Sequence, residues 1–343
     1  MGKKLLSTAV AVAALLLAGT GSFAHAQSGG GFSVQVSPSP IVESIKPGVT
    51  KTVEVKIRNQ NTQKETLKMS LRAFSVNPES GEVNLENQEP QDVASWTTFE
   101  NQIFEVDAGQ WYTQKVTFAV PQDAGFTYSF AIVVSRANPT KEAGGKTAVE
   151  GSVAIFTLLS TERTGAVRKL EIASFSSAKK VYEYLPTSFS LKLKNSGNTI
   201  VQPAGNIYIQ RSSTSQDPIS LKPVNEKAAY ILPGVQRTLT TEWVDGFPAY
   251  KTDASTQKKH LVWDWSKLQN IRLGHYVAKV VVVYNDGTRD VPVEALVDFW
   301  VIPWKLLSII FLAIVLIIIG IVTIVRKGVK LTKKKSTDVK KEE

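Results

Sequence analysis

The string "KKHLVWDWSKL", Lys258 to Leu268, sets a carboxylate between two large aromatic rings and is the most chemically suggestive stretch of the chain. If the segment is extended, Trp263 and Trp265 project to the same side, because successive side chains of a strand alternate. Such a pair stacks on sugar rings, packs into a core, or lies at a membrane surface. Asp264 between them and Glu242 after a strand suggest an acid pair. Glycoside hydrolysis, however, needs two carboxyls held roughly 5 to 10 Å apart in a cleft, and no spacing here enforces that. Outside the leader, histidine occurs only at His260 and His275, in unrelated surroundings. No nucleophile-elbow pattern accompanies the serines, so a serine triad has no support. His275, in "LGHYVAKV", reads as a surface imidazole beside a turn. The chain has no cysteine, which excludes thiol catalysis, zinc-thiolate sites and disulfides. No catalytic, cofactor-binding or metal-ligating residue is assigned, and the chain reads as a non-enzyme.

Both ends carry address information. Lys3 and Lys4 precede the apolar run Leu5 to Leu17, and "AHA" at Ala24, His25 and Ala26 fits signal-peptidase cleavage, so residues 1–26 read as a signal peptide. "LLSIIFLAIVLIIIGIVTIV", Leu306 to Val325, matches the ~20 apolar residues that cross a bilayer as a helix. Trp300 and Trp304 flank it on one side; Arg326, Lys327, Lys330 and Lys333 to Lys335 crowd the other, which the positive-inside rule assigns to the cytoplasm. Residues 303–325 thus read as a transmembrane helix and 326–343 as a basic cytoplasmic tail, with the body outside a cell membrane. Of the net charge of +10, the tail contributes eight Lys or Arg against three acids, and Lys3, Lys4 and Lys305 a further three; the exported body is near neutral at +2. Nucleic-acid binding, which needs basic residues gathered on one face, is not expected.

The body between is all-β, since short alternating segments are divided by Gly, Pro, Asn and Asp and no long stretch has helical period. In "IKPGVTKTVEVKIRN" Pro47 and Gly48 make a tight turn, and Val53, Val55 and Ile57 then recur at period two with charges between them. One glycine before an alternating run lacks the N–H nest and helix dipole of a phosphate loop, so the corner starts a strand. The device recurs at Pro233-Gly234 and, as a variant, at Ala108-Gly109. Repetition at uneven distances predicts duplicated domains rather than a solenoid. Two tandem immunoglobulin-like β-sandwich domains are expected, at residues 27–168 and 169–302. "GSVAIFTLLS", Gly151 to Ser160, is apolar enough to be buried on both faces. Asp286-Gly287 predicts a two-residue hairpin turn.

Candidate binding residues follow from this frame. Trp96 in "SWTTF" either fastens a long loop or recognises a ligand. The polar segment Arg136 to Glu150 reads as an exposed end loop, the usual place for binding on a sandwich, and contributes Arg136, Asn138, Lys141 and Lys146. Trp263 and Trp265 complete the set.

The strand "FSVQVSPSPIVESIKPGVTKTVEVKIRN", the "SWTTF" at Ser95 to Phe99, the "VPQDAGFTYSFAIVV" segment, and an Ig-like domain ending at a membrane helix and lysine tail resemble the WxL-interacting surface proteins of Gram-positive bacteria. That resemblance implies a first domain that binds peptidoglycan and a second that binds host or partner proteins. The second domain departs from the family by a long insertion, Tyr250 to Arg272. The expected function is a non-catalytic, membrane-anchored adhesion or scaffold module contacting peptidoglycan or a cell-surface protein. Two alternatives belong to other classes: an envelope enzyme acting on cell-wall glycan, and a pilus-type assembly factor that captures an extended strand at an open sheet edge.

Overall fold

The structure, a computed structural model, describes residues 31–138, 151–214 and 217–339. The chain is built of strands, with one long helix at its C-terminal end. Strands β1 (Val34–Ser37), β2 (Ile41–Ile45), β3 (Thr50–Asn59), β4 (Glu65–Val76), β5 (Val83–Leu85), β6 (Thr97–Phe99), β7 (Ile103–Val106), β8 (Trp111–Ala119), β9 (Thr127–Arg136) and β10 (Ser152–Thr161) form one β-sandwich unit, with a single helical turn α1 (Gln91–Ala94) before β6. One sheet runs β1-β3-β8-β6; the other runs β2-β10-β9-β4, with β5 and β7 paired to β4. This is the ABED/GFC arrangement of an immunoglobulin-type fold, with the first strand split between the sheets. Pro38 and Pro40 sit where the chain crosses over; having no N–H, neither extends a ladder.

The period-two pattern does what the sequence predicts. Val55 and Ile57 face inward and are fully buried, and with Val116 and Phe118 they meet Leu67, Met69, Phe130, Ile132 and Ile155 of the opposite sheet. At the opening corner Gly48 has φ +77 and its N–H bonds Val120 O at 2.9 Å, so the corner is a turn that starts β3. On β10, Thr157 to Thr161 are buried in every position, through both faces.

The second unit repeats the plan. Its sheets run β11-β13-β16 and β12-β20-β19-β14-β15, from β11 (Leu170–Ser177), β12 (Val181–Tyr182), β13 (Thr187–Asn195), β14 (Ala204–Gln210), β15 (Ser220–Val224), β16 (Gln236–Trp243), β19 (Gly274–Asn285) and β20 (Asp290–Val301). Between β16 and β19 an insertion carries the two-stranded ribbon β17 (Ala249–Thr252) and β18 (Lys259–Val262) and a 3-10 segment, Trp265–Asn270. The core is aromatic: Trp243 meets Tyr276 and Phe299 edge-on, at ring separations of 5.2 and 6.0 Å.

A buried asparagine shows the repeated plan most directly. Asn59 and Asn195 each end the third strand of their unit, β3 and β13, and are fully buried. Asn59 Nδ2 donates to Gln63 O (2.7 Å) and Val106 O (2.9 Å), and its Oδ1 accepts from Asn61 N (2.9 Å). Asn195 Nδ2 donates to Thr199 O (2.7 Å) and Ile231 O (2.9 Å), and its Oδ1 accepts from Gly197 N (3.0 Å). Their backbone carbonyls accept from Gly109 N and Gly234 N, so the Ala108-Gly109 and Pro233-Gly234 corners are structural equivalents.

One local expectation is corrected. The β19–β20 connection pairs Asn285 with Asp290 and therefore has four loop residues, not two. The Asp286 carboxylate accepts from Thr288 N and Arg289 N, at 2.8 and 2.9 Å, and these bonds make the wider turn and hold its pKa down at about 2.

The units meet through Thr127 Oγ1 to Asn198 O (3.0 Å) and Gln236 N to Pro78 O (2.6 Å). β20 hands over almost at once to α2 (Trp304–Val339). Its segment Trp304–Lys327 is long and apolar enough to cross a membrane, and its most apolar stretch is not buried against the rest of the chain. The leader, residues 1–26, lies outside the described residues.

Candidate functional site

The structure scatters the residues singled out from the sequence. Trp96 is 7% exposed, its Nε1 donates to Asp92 O (2.6 Å), and its ring meets Tyr128 edge-on at 5.3 Å. It fastens the α1 segment into the core and offers no face to a ligand. Arg136 ends β9, where Nε and Nη2 bond the two carboxylate oxygens of Glu65 at 2.8 and 2.6 Å. This fork, chiefly through its hydrogen bonds, holds the Glu65 pKa below the ordinary range; it closes the β4–β9 edge. Asn138 is exposed at the end of the same segment. Lys141 and Lys146 lie outside the described residues.

Trp263 and Trp265 do come together, although not on a strand. Trp263 follows β18 and Trp265 opens the 3-10 segment, yet their ring centres are 5.9 Å apart and both rest on Phe247, at 5.8 and 5.3 Å. They are 45% and 67% exposed, so a core aromatic pair is ruled out by placement. Asp264 and Glu242 line one groove of about 400 Å³. The Asp264 carboxyl, hydrogen-bonded by Ser266 Oγ at 2.6 Å, is held below its ordinary pKa, whereas a glycosidase general acid is pushed above it. His275 Nε2 stands 3.8 Å from Asp298 Oδ2 at the start of β19, and His260 is exposed on β18.

The feature that sequence reasoning named only in an alternative, and did not locate, is an open sheet edge. β10 pairs with β9 along its whole length, from Ser152↔Ser135 to Ser160↔Thr127. On its other side the parallel strand β2 joins only at Thr157↔Ile41 and continues to Thr161↔Ile45. Ser152 to Phe156 therefore present a ladder side with no partner strand among the described residues. Half-buried Val34 and Val36 of β1 lie along the seam, and Phe32 packs against Gly151 at its entrance.

The corresponding strand of the second unit, β20, also has no partner along much of its outer side among the described residues, since β12 reaches only Trp300 and Val301. That edge bears Asp290, Pro292, Glu294 and Asp298, the residues that blunt strand addition. The β10 edge, "SVAIF", carries neither charge nor proline. Beyond it, outward-facing Phe156 and Leu158 line a mostly apolar cleft of about 260 Å³ between the two units, facing Tyr230, Leu232 and Arg237.

No family model and no curated protein matches the chain. Solved structures of chaperones do. The class 5 fimbriae chaperone CfaA shares 14% identity, covering 77% of this chain and 98% of its own, with a TM-score of 0.37. The E. coli chaperone DraB shares 12% over the same fractions, also at 0.37, and the Pseudomonas aeruginosa CupB2 chaperone 7% over 76% and 98%, at 0.34. The likeness is one of fold. The expectation of an adhesion or scaffold module that contacts the cell wall is corrected: the similar structures are chaperones, the class of the pilus-assembly alternative, and peptidoglycan binding is without support.

Proposed function

We propose that this chain is a non-enzymatic assembly chaperone of the cell envelope that holds an extended segment of a partner protein by strand addition. The observation that carries the reading is the five-residue side of β10, Ser152 to Phe156, left open where β2 stops. Main-chain N–H and C=O groups on an open edge supply affinity for any extended chain, and pockets for alternate side chains supply selection. Here the seam offers Val34, Val36 and Val153 to one face of the incoming strand, and the inter-unit cleft offers Phe156 and Leu158 to the other. An apolar, alternating segment of an envelope protein fits this chemistry; among the similar structures, one is a chaperone–tip adhesin complex and another a pilin in complex with a chaperone.

Each sandwich is taken as a folding domain, with the boundary near residue 168, and α2 as an anchor that leaves the body outside and the lysine-rich tail inside. The test is a capture experiment followed by amide exchange. Residues 27–302 are mixed with an envelope protein extract, the captured partner is identified, and exchange is compared in the free and bound states. Protection concentrated in Ser152 to Phe156 is the expected outcome. A partner that binds while those amides exchange unchanged refutes the reading.

A further inference from the structure

The insertion that separates β16 from β19 ends up at the membrane end of its unit. Trp243, the last residue of β16, packs on Phe299 near the end of β20, and Gly274 pairs with Val301, so β16 ends, and β19 begins, where β20 hands over to α2. The link is direct: Glu183 Oε2 accepts from Tyr250 Oη of β17 at 3.2 Å and pairs with Lys305 Nζ of the first helical turn at 2.8 Å. One carboxylate oxygen thus ties the insertion to the helix that enters the bilayer.

The surface presented there is amphipathic. Trp263, Trp265 and Leu268 are exposed, as are Trp300 and Trp304 at the mouth of the helix. Around them residues 249–273 carry five basic side chains, Lys251, Lys258, Lys259, Lys267 and Arg272, against Asp253 and Asp264. Large aromatics with a polar edge prefer the headgroup level of a bilayer, and lysines beside them are drawn to anionic phosphates. We propose that this insertion docks onto the leaflet from which α2 descends, with Trp263, Trp265 and Leu268 in the interface and Lys251, Lys258 and Lys259 against anionic lipid headgroups. The contact makes a second foot beside the helix and fixes the orientation of the body above the membrane. It rests on α2 crossing the bilayer and is independent of strand capture.

The chain has no cysteine, so single labels are clean reporters. The full-length protein is reconstituted into phosphatidylcholine vesicles with and without phosphatidylglycerol, carrying a nitroxide at W265C, L268C, I314C in α2, or I103C in the first unit. Relaxation by oxygen and by a water-soluble nickel chelate reports the depth of each label. The expected result is Ile314 in hydrocarbon, Ile103 in water, and both insertion labels at the interface when phosphatidylglycerol is present. In the K258S/K259S background the docked-to-undocked ratio falls roughly thirtyfold, at the ordinary contribution of a lysine near an anionic surface. Insertion labels as wet as Ile103 while Ile314 is in hydrocarbon overturn the proposal. If Ile314 is wet as well, the membrane-spanning role of α2 fails with it. Shielding of the insertion labels by soluble peptidoglycan fragments, without response to lipid, also overturns it and assigns the tryptophans to sugar.

Discussion

Replacing Asn195 by Leu removes a buried amide that makes three hydrogen bonds, while keeping a side chain of similar length. Of the three partners, Ile231 O keeps a backbone bond from Val201 N at 3.1 Å. Gly197 N, part-buried, and Thr199 O, on a buried residue, lose the bonds that the amide makes to them. A buried polar group stripped of its partner costs about 1–3 kcal/mol, so the loss is roughly 3 kcal/mol in the second unit. For a unit of this size that corresponds to about a 10 °C fall in its melting temperature. Asn59→Leu acts in the same way on the first unit at a smaller cost, because Gln63 O lies on an exposed residue that water can reach. The assay is calorimetry on residues 27–302, with each variant moving one unit and the double variant moving both additively if the units fold separately. A cost below about 0.5 kcal/mol, the range of an ordinary surface change, refutes the claim that the asparagine pins the corner. A single transition shifted equally by either variant refutes the division into two folding units.

Three further outcomes are expected. Gly48→Val places a β-branched residue at φ +77, with its Cβ driven into the Gln122 side chain; it lowers stability by about 1–3 kcal/mol, read by urea unfolding, and leaves capture per folded molecule unchanged. Of the variants V153P and A154P, the one whose N–H faces away from β9 abolishes partner capture with a native circular dichroism spectrum, whereas equal capture by both argues against strand addition. The Glu65 carboxyl, held down by Arg136, adds stability that is complete above its unfolded pKa near 4.5 and is lost as pH falls through the lower folded value; Glu65→Gln therefore flattens the acid limb of the stability profile, and an unchanged limb counts against the fork.

What the sequence determined by itself was local. Period-two alternation declared β3 and β13, since the side chains of a strand must divide between core and water. The Pro-Gly corners declared their turns, because Gly48 and Gly234 both need positive φ. The apolar run from Leu306 declared a helix able to cross a bilayer, as its length and lack of charge allow. The role of the asparagines ending "KIRN" and "LKLKN" was not legible, because their burial depends on corners that arrive dozens of residues later. Other features were decided only when distant segments met. Arg136 reads as a loop cation until β4 brings Glu65 beside it, and Trp96 stays open between loop anchor and ligand platform until α1 folds it inward. Trp263 and Trp265 converge through Phe247 and a 3-10 turn, not through the strand that their spacing suggests. The open side of β10 is the clearest case: an edge is a partner not supplied, and whether β2 runs the full length of β10 or stops at Ile41 is set by where two prolines send the chain across the sandwich, more than a hundred residues away.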